Sequence, residues 1–199
     1  MPEFVAKKVA VLLNSGGLDC FLAAEKYASK GWELHSLYVP LSKLSNRAQE
    51  RAARKTAKLF CKTHKVTKKV DNWICGLGSG QKTVAYPHTL TYAHFMGAMY
   101  AAHLGIDFIL TGLRPEDVRS NFLDELSDLM GASSMTPKPL FVDPYMHPEM
   151  YDVEEDAATT HLDLGHTHSC FNNKPCGVCS KCKRRERLGI VKTPWYKFW

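Results

Sequence analysis

Residues 8–20 read KVAVLLNSGGLDC, and this stretch decides the fold. Its first part, Lys8 to Leu13, is an aliphatic and β-branched run without helical spacing, which predicts a buried strand. A tight polar loop, residues 14–17, follows at once. Asp19 to Ser29 then carries apolar residues at helical spacing and stops before Gly31, so the sequence predicts a strand, a glycine loop and a helix in direct succession.

The loop between this strand and this helix has the composition of an anion site. Backbone N–H groups at a helix N-terminus carry partial positive charge, and two glycines let the backbone approach phosphate oxygens closely. Ser15 adds a hydroxyl group, and Asp19 can hold Mg²⁺; the alternative is a plain glycine turn in which Asp19 caps the helix. The position after the first strand favours nucleotide binding. The candidate binding residues are Leu13, Asn14, Ser15, Gly16, Gly17, Leu18, Asp19 and Cys20.

Further strands and helices alternate along the chain. Strands are predicted over 32–39, 65–70, 107–111 and 139–142. Helices are predicted over 45–64, 89–104, 121–130, 149–161 and 183–189. This alternation is typical of an α/β protein with a doubly wound parallel sheet that is covered on both faces. The glycine-rich segment 72–88 is predicted to be a mobile loop over the site.

Composition and charge limit the possible classes of protein. The chain has 199 residues, of which 45% are hydrophobic and 23% charged, as expected for one globular domain with at most a small appendage. The net charge of +6 permits an anionic ligand such as a nucleotide but does not by itself indicate nucleic-acid binding. No apolar run approaches the ~20 residues of a membrane span and no signal-peptide core is visible, so we expect a cytoplasmic protein.

Four of the seven cysteines lie within thirteen residues and predict a metal site. They are Cys170, Cys176, Cys179 and Cys182, whereas Cys20, Cys61 and Cys75 are scattered. Four thiolates at short spacing can close a tetrahedral shell around one ion, and such a site is structural because no position is left for water. Zinc is the prediction; an iron–sulfur cluster and free thiols are the alternatives. His161, His166 and His168 are interpreted as polar loop residues.

The C-terminal tail combines basic and aromatic residues. Its members are Lys181, Lys183, Arg184, Arg185, Arg187, Trp195, Tyr196, Phe198 and Trp199. This pattern can bind single-stranded nucleic acid. We favour the alternative, a solvated helix face followed by aromatic side chains that pack on the body or on a second subunit. We therefore expect a homodimer and no direct contact with nucleic acid.

The hexapeptide at residues 15–20, SGGLDC, resembles the SGGxDS loop of the PP-loop ATP pyrophosphatases, with Cys20 in place of the last serine. The C-terminal motifs narrow this resemblance. Residues 167–182 are similar to the end of the 7-cyano-7-deazaguanine synthase (QueC) family, T-W-S-C-Y followed by C-G-x-C-x-x-C-x-x-R, and Arg185 falls on that arginine. Residues 109–113, ILTGL, resemble the family's I-T-G-V, with Asp117 on the following aspartate. Pro87 and the segment 98–101 give a further, weaker match.

The resemblance implies a fold, a reaction and a set of site residues. The fold is that of the adenine nucleotide alpha hydrolases, with a nucleotide domain over 1–164 and a zinc-binding segment over 165–199. The reaction converts 7-carboxy-7-deazaguanine and ammonia into the nitrile preQ0 with ATP and Mg²⁺, through an adenylate and an amide. The implied catalytic residues are Ser15, Asp19 and Asp117, with Gly112 beside the nucleotide and segment 72–88 as a lid.

The chain also departs from the family pattern. The family's P-G-R-N is Pro87-His88-Thr89-Leu90 here, its Y-G-Q-R-H has no counterpart, and Pro148 stands where a lysine is usual. Three alternatives remain open: a changed substrate, a lower rate, or replacement of the missing charge by Lys82, Arg114 or Arg119. A tRNA-thiolating PP-loop enzyme and an inactive nucleotide- or deazaguanine-binding protein are the competing functions.

Overall fold

The structure is a computed structural model, and it describes residues 8–40, 47–67, 86–115, 126, 130, 139–146, 151–170 and 172–190. The strands are β1 (Val9–Leu13), β2 (Glu33–Tyr38), β3 (Cys61–Val66), β4 (Phe108–Leu110) and β5 (Leu140–Val142). The helices are α1 (Leu18–Ser29), α2 (Arg47–Phe60), α3 (Tyr86–Leu104), α4 (Val153–Thr159) and α5 (Ser180–Arg187), with 3-10 turns at Pro144–Met146 and Leu164–His166. Within these ranges no helix has the length and apolar character that a membrane span needs.

The five strands form one parallel sheet in the order β3-β2-β1-β4-β5. The central strand β1 pairs with β2 on one side, where Leu13 lies opposite Leu37, and with β4 on the other, where Leu12 lies opposite Leu110. The chain order reverses at β1, and ligands of open α/β sheets bind outside the carboxyl ends of the strands at such a point. The predicted doubly wound parallel sheet is confirmed, and the glycine loop follows β1 at this position.

Helices cover both faces of the sheet because the side chains of β1 alternate between two buried clusters. Ala10 and Leu12 pack in the cluster that contains Phe21 and Leu22 of α1. Val11 and Leu13 belong to the opposite cluster, which includes Ala98 and Ala101 of α3. A strand that is buried on both faces needs apolar residues at every position, which is why residues 9–13 form a continuous hydrophobic run.

The cluster on the α1 face also includes residues from the C-terminal part of the chain. Leu164 and Ile190 are buried in it, and Tyr145 and Val153 join them. The segments on either side of the cysteines are thus anchored in the hydrophobic core beside α1. The division of the chain near residue 165 stays a prediction.

The predicted helix 45–64 is wrong at its C-terminal end. α2 ends at Phe60, and residues 61–66 form β3, which pairs with β2 from Leu34–Cys61 to Tyr38–Val66. Local composition favoured a longer helix because the stretch is rich in lysine and alanine, but pairing along the open edge of β2 prevails. Ser36 Oγ and His64 Nδ1 lie 2.9 Å apart across the two strands and add a polar contact to the pairing.

Other boundaries differ by a few residues. α3 begins at Tyr86, within the segment 72–88 that was predicted to be a loop, and residues 72–85 lie outside the described part. α4 and α5 are each shifted or shortened relative to 149–161 and 183–189. Of the predicted helix 121–130, the described residues Leu126 and Met130 are helical and buried.

The loop after β4 packs backbone against backbone on the first turn of α1. An ideal Cβ at Gly112 would lie 2.5 Å from Cys20 N and 2.6 Å from the carbonyl carbon of Asp19, distances that no side chain tolerates. Gly112 therefore allows β4 and the start of α1 to approach at the carboxyl edge of the sheet. This close approach fixes the helix N-terminus relative to the central strands.

Gly112→Ala is expected to destabilise the protein by about 1–3 kcal/mol, because the added methyl group overpacks rigid backbone. Gly97→Ala is the matched control: its Cβ would lie 3.5 Å from the nearest Leu13 side-chain atom, and alanine favours the interior of α3. We expect the control to be neutral or stabilising. Urea unfolding followed by circular dichroism measures both variants, and equal stabilities would contradict the steric role of Gly112.

Candidate nucleotide site and cysteine cluster

Asn14 organises the glycine loop. Its side chain is buried and donates to Ser36 Oγ at 3.0 Å and to the Ala53 carbonyl at 2.9 Å, while its Oδ1 accepts from Gly16 N–H at 3.0 Å. The amide thus uses both its donor and its acceptor groups to connect the loop with β2 and α2. A buried amide whose hydrogen bonds are satisfied fixes one loop conformation, because an alternative conformation would leave these groups unpaired.

Gly16 allows the loop to pass close to α2. Its φ of +75° is in the left-handed region, and an ideal Cβ would lie 2.3 Å from the Gln49 carbonyl oxygen and 2.9 Å from Ala53 N. Only glycine combines that backbone conformation with such close packing. The contact with α2 thus requires glycine at position 16, whereas the close approach of phosphate oxygens to the loop stays a prediction.

Ser15 and Cys20 bind each other across the turn. Ser15 Oγ lies 3.2 Å from Cys20 Sγ and accepts from Gly17 N–H at 3.3 Å, and Cys20 Sγ lies 3.4 Å from the Leu13 carbonyl oxygen. Burial raises the pKa of the Cys20 thiol, so the group stays neutral. A nucleophilic cysteine acts as the thiolate, and this environment disfavours that role.

Asp19 is held by two arginines that come from distant parts of the chain. Its Oδ1 accepts from Arg184 Nη1 of α5 at 2.8 Å, and its Oδ2 lies 3.8 Å from Arg114 Nε, which follows β4. The N-cap of α1 is Gly17, so Asp19 is not the cap that the alternative interpretation gave it. The carboxylate lies instead in an ion pair beside the loop.

The segment before the cysteine cluster crosses the glycine loop. His168 N–H donates to the Gly16 carbonyl at 2.8 Å, and Ser169 Oγ accepts from Leu18 N–H at 3.2 Å. The first backbone N–H of α1 thus has a partner 151 residues away in sequence. Sequence reasoning did not assign a role to Ser169, although its place directly before Cys170 was an available signal. The prediction of a solvated helix face is wrong for Arg184, because its side chain is buried against Asp19.

The four cysteines predicted to bind metal come together. Their sulfur atoms all lie within 4.8 Å of one another, and Cys176 Sγ and Cys182 Sγ are 3.9 Å apart. A tetrahedral ion with metal–sulfur bonds of about 2.3 Å requires sulfur–sulfur distances of about 3.8 Å. The donor set and its spacing therefore fit a single thiolate-bound ion.

Backbone N–H groups prepare part of this cluster for a cation. Cys179 N–H donates to Cys176 Sγ at 3.4 Å, and Cys182 N–H donates to Cys179 Sγ at 3.4 Å. The first of these bonds is the main reason why the pKa of Cys176 is lowered to about 6, whereas burial raises the pKa of Cys179 to about 12. Gly177 supplies the turn, with φ of +80°.

Neighbouring residues support the cluster without belonging to it. Arg185 donates to Thr167 Oγ1 and to the Leu164 carbonyl, and His168 Nε2 lies 2.7 Å from the Asn172 carbonyl oxygen. His166 packs edge-on against Phe21, with ring centroids 4.9 Å apart. These contacts agree with the interpretation of the histidines as loop residues rather than ligands. Asp117, predicted to be catalytic, lies outside the described residues.

Comparisons with known proteins agree with this arrangement. The family described as "Queuosine biosynthesis protein QueC" matches residues 81–190, more than half of the chain. A 7-cyano-7-deazaguanine synthase of Alteromonas mediterranea is 32% identical over 88 residues, which span 43% of this chain and 38% of that protein. A 7-cyano-7-deazaguanine synthase of Methanothrix thermoacetophila is 25% identical over 92% of this chain and 94% of its own length.

A solved structure shares the fold. The U34-tRNA thiolase NcsA from Methanococcus maripaludis with its [4Fe-4S] cluster superposes with a TM-score of 0.50 at 16% identity, over 94% of this chain and 74% of that one. At this identity the likeness concerns the fold alone. The parallel sheet, the loop after β1 and the matched family together show that the chain belongs to the QueC family.

Proposed function

We propose that the protein converts 7-carboxy-7-deazaguanine and ammonia into 7-cyano-7-deazaguanine at the expense of ATP. The observation that carries the proposal is the hydrogen bond between Leu18 N–H and Ser169 Oγ, which joins the nucleotide loop to the segment that leads into the cysteine cluster. The two motifs on which the sequence resemblance depends thus form one site. The names of the relatives described above, both 7-cyano-7-deazaguanine synthases, support the product, and the family resemblance implies the substrate.

The reaction needs an activated carboxyl group. A carboxylate oxygen of the substrate attacks the α-phosphorus of ATP, and the bond to pyrophosphate breaks. Ammonia then attacks the acyl adenylate, AMP leaves and an amide forms. In the second half the amide oxygen is adenylated in the same way, and loss of AMP and protons leaves the nitrile. Both halves require that water be kept from the adenylate, which would otherwise hydrolyse.

The loop residues have roles in both activations. The partial positive charge at the N-terminus of α1 favours the departing pyrophosphate, and the Ser15 hydroxyl lies in the loop that precedes it. Mg²⁺, when bound, neutralises charge on the phosphates, and Asp19 is the carboxylate at the loop that would hold it. Gly112 keeps the β4 loop in contact with the same helix turn. Roles for Asp117 and for a lid over 72–88 remain predictions.

Among the described residues, Arg114 is the candidate to replace the arginine of the family's P-G-R-N motif, which this chain lacks. Of the three cations considered for that charge, Lys82 and Arg119 lie outside the described residues, whereas Arg114 Nε is 3.8 Å from Asp19 Oδ2. A guanidinium group at this position can contact phosphate oxygens bound at the loop. Its place beside Asp19 supports replacement of the charge rather than its loss.

We assign the cysteine cluster to structural zinc. The sulfur atoms are close enough to share a single ion, whereas in a [4Fe–4S] cluster each cysteine binds a different iron atom and in a [2Fe–2S] cluster the four cysteines are divided between two iron atoms. Four protein thiolates leave no open coordination position, so the ion would stabilise the fold and take no part in the reaction. This arrangement, with the buried neutral thiol of Cys20, weighs against the thiolating alternative.

Cys179→Ala is expected to abolish zinc binding and to lower the melting temperature by about 10 °C, because loss of a structural ion costs several kcal/mol. Cys61→Ser, a thiol outside the cluster, is the control and should retain one zinc per chain. Elemental analysis and thermal unfolding measure both. Brown colour with iron and sulfide in the purified wild-type protein would contradict the zinc assignment.

Incubation of the wild-type protein with 7-carboxy-7-deazaguanine, ammonium and Mg-ATP is expected to give the nitrile, detected by mass spectrometry. Asp19→Asn keeps a partner for Arg184 and should preserve the circular dichroism spectrum while lowering kcat by about 10²–10³, as expected when a charge at the phosphates is removed. Accumulation of the amide alone would confine the reaction to its first half. Absence of any product from folded, zinc-loaded protein would refute the proposed substrate.

A further inference from the structure

Arg184 is a buried guanidinium group at the nucleotide loop with incomplete hydrogen bonding. Its Nη1 donates to Asp19 Oδ1 at 2.8 Å, and about nine-tenths of the residue is buried. Its Nε is also buried, makes no hydrogen bond among the described residues and lies 3.6 Å from Glu154 Oε1, beyond hydrogen-bond distance. A buried donor without an acceptor is costly, so the position is suited to receive one.

A cavity next to Arg184 gives the side chain room to move. It has a volume of about 170 Å³ and is lined by Arg114 and Arg184 together with Tyr145, Tyr151 and neighbours from the start of α4. The two guanidinium groups therefore stand between the cavity and Asp19.

The Asp19 carboxylate and a phosphate group offer the arginines the same chemistry. Each presents anionic oxygens in a geometry that a guanidinium group binds with two parallel hydrogen bonds. We propose that Arg114 and Arg184 form a clamp that holds Asp19 while the loop is free of nucleotide and that transfers to the phosphates of ATP. Asp19 is then released to face Mg²⁺. The identity of the ligand as ATP rests on the proposed function.

The clamp predicts opposite effects of one substitution with and without magnesium. In the absence of Mg²⁺, Asp19 competes with an added anion for the arginines, so Asp19→Asn should tighten binding of inorganic pyrophosphate about five- to tenfold. With Mg²⁺ present, the same variant should bind pyrophosphate more weakly than wild type because a magnesium ligand is lost. Isothermal titration of the zinc-loaded protein, in buffer without chelator, measures both.

A second substitution separates the clamp from general electrostatics. Arg184→Gln should weaken magnesium-free pyrophosphate binding about tenfold, and Asp19→Asn should give a clearly smaller gain in the Arg184→Gln background, where Arg114 alone remains to be released. If removal of a negative charge alone caused the gain, the gain would be undiminished in the double variant. Arg184→Lys should restore part of the affinity. Arg187→Gln, on the same helix but largely exposed, is the control and should remain within twofold of wild type.

The proposal fails if Asp19→Asn leaves magnesium-free pyrophosphate binding unchanged or weaker while circular dichroism and zinc content match the wild type. It also fails if the gain is undiminished in the double variant, or if Arg187→Gln weakens binding as much as Arg184→Gln. Should Arg184→Gln not fold, Arg184→Lys and Arg114→Gln take its place in the cycle. These titrations contain neither deazaguanine nor ammonia, so their result is independent of the substrate assigned above.

Discussion

The first backbone N–H groups of α1 have no acceptor within the helix, and three short polar side chains supply acceptors around them. Asn14 Oδ1 binds Gly16 N–H, Ser15 Oγ binds Gly17 N–H, and Ser169 Oγ binds Leu18 N–H. All three acceptors are neutral. They hold the loop in one conformation without cancelling the positive field of the helix N-terminus, so that the loop still favours an anion.

The hydrogen bonds at the start of α1 also connect parts of the chain that are far apart in sequence. Ser169 reaches Leu18 from the residue before the cysteine cluster, and α5 begins at the cluster and carries Arg184 to Asp19. The next residue, Arg185, points the other way and binds Thr167 and the Leu164 carbonyl. An ion bound by the cysteines would therefore hold the start of α5 together with the segment of His168 and Ser169 that crosses the loop. A metal at the cysteines would in this way stabilise the candidate nucleotide site.

Local features of the site could be predicted from the sequence, whereas its long-range contacts could not. The strand, glycine loop and helix over 8–29, and the clustering of the four cysteines, depend on neighbours within a few residues, and the structure shows both. The contacts of Ser169 with Leu18 and of Arg184 with Asp19 span 151 and 165 residues. Nothing in the local pattern of α5 distinguishes Arg184 from the exposed Arg187, because only the packing of the helix decides which arginine is buried.

The error at β3 has a related cause. Residues 61–64 resemble the end of a lysine-rich helix, and only the unpaired edge of β2 turns them into a strand. An edge strand needs few apolar residues, since one of its sides faces solvent, and its sequence therefore carries a weak signal. The position of β2 in the sheet, which is set by tertiary structure, decides the assignment.

The replacement of the family's last loop serine by Cys20 follows from the same geometry. The side chain is buried, lies 3.2 Å from Ser15 Oγ and approaches the Leu13 carbonyl at 3.4 Å. A neutral thiol can make both contacts weakly and tolerates burial better than a hydroxyl group would. Because the raised pKa keeps it protonated, its sulfur brings no charge to the loop. The departure thus changes the packing beneath the loop and adds no charge to the N-terminus of α1.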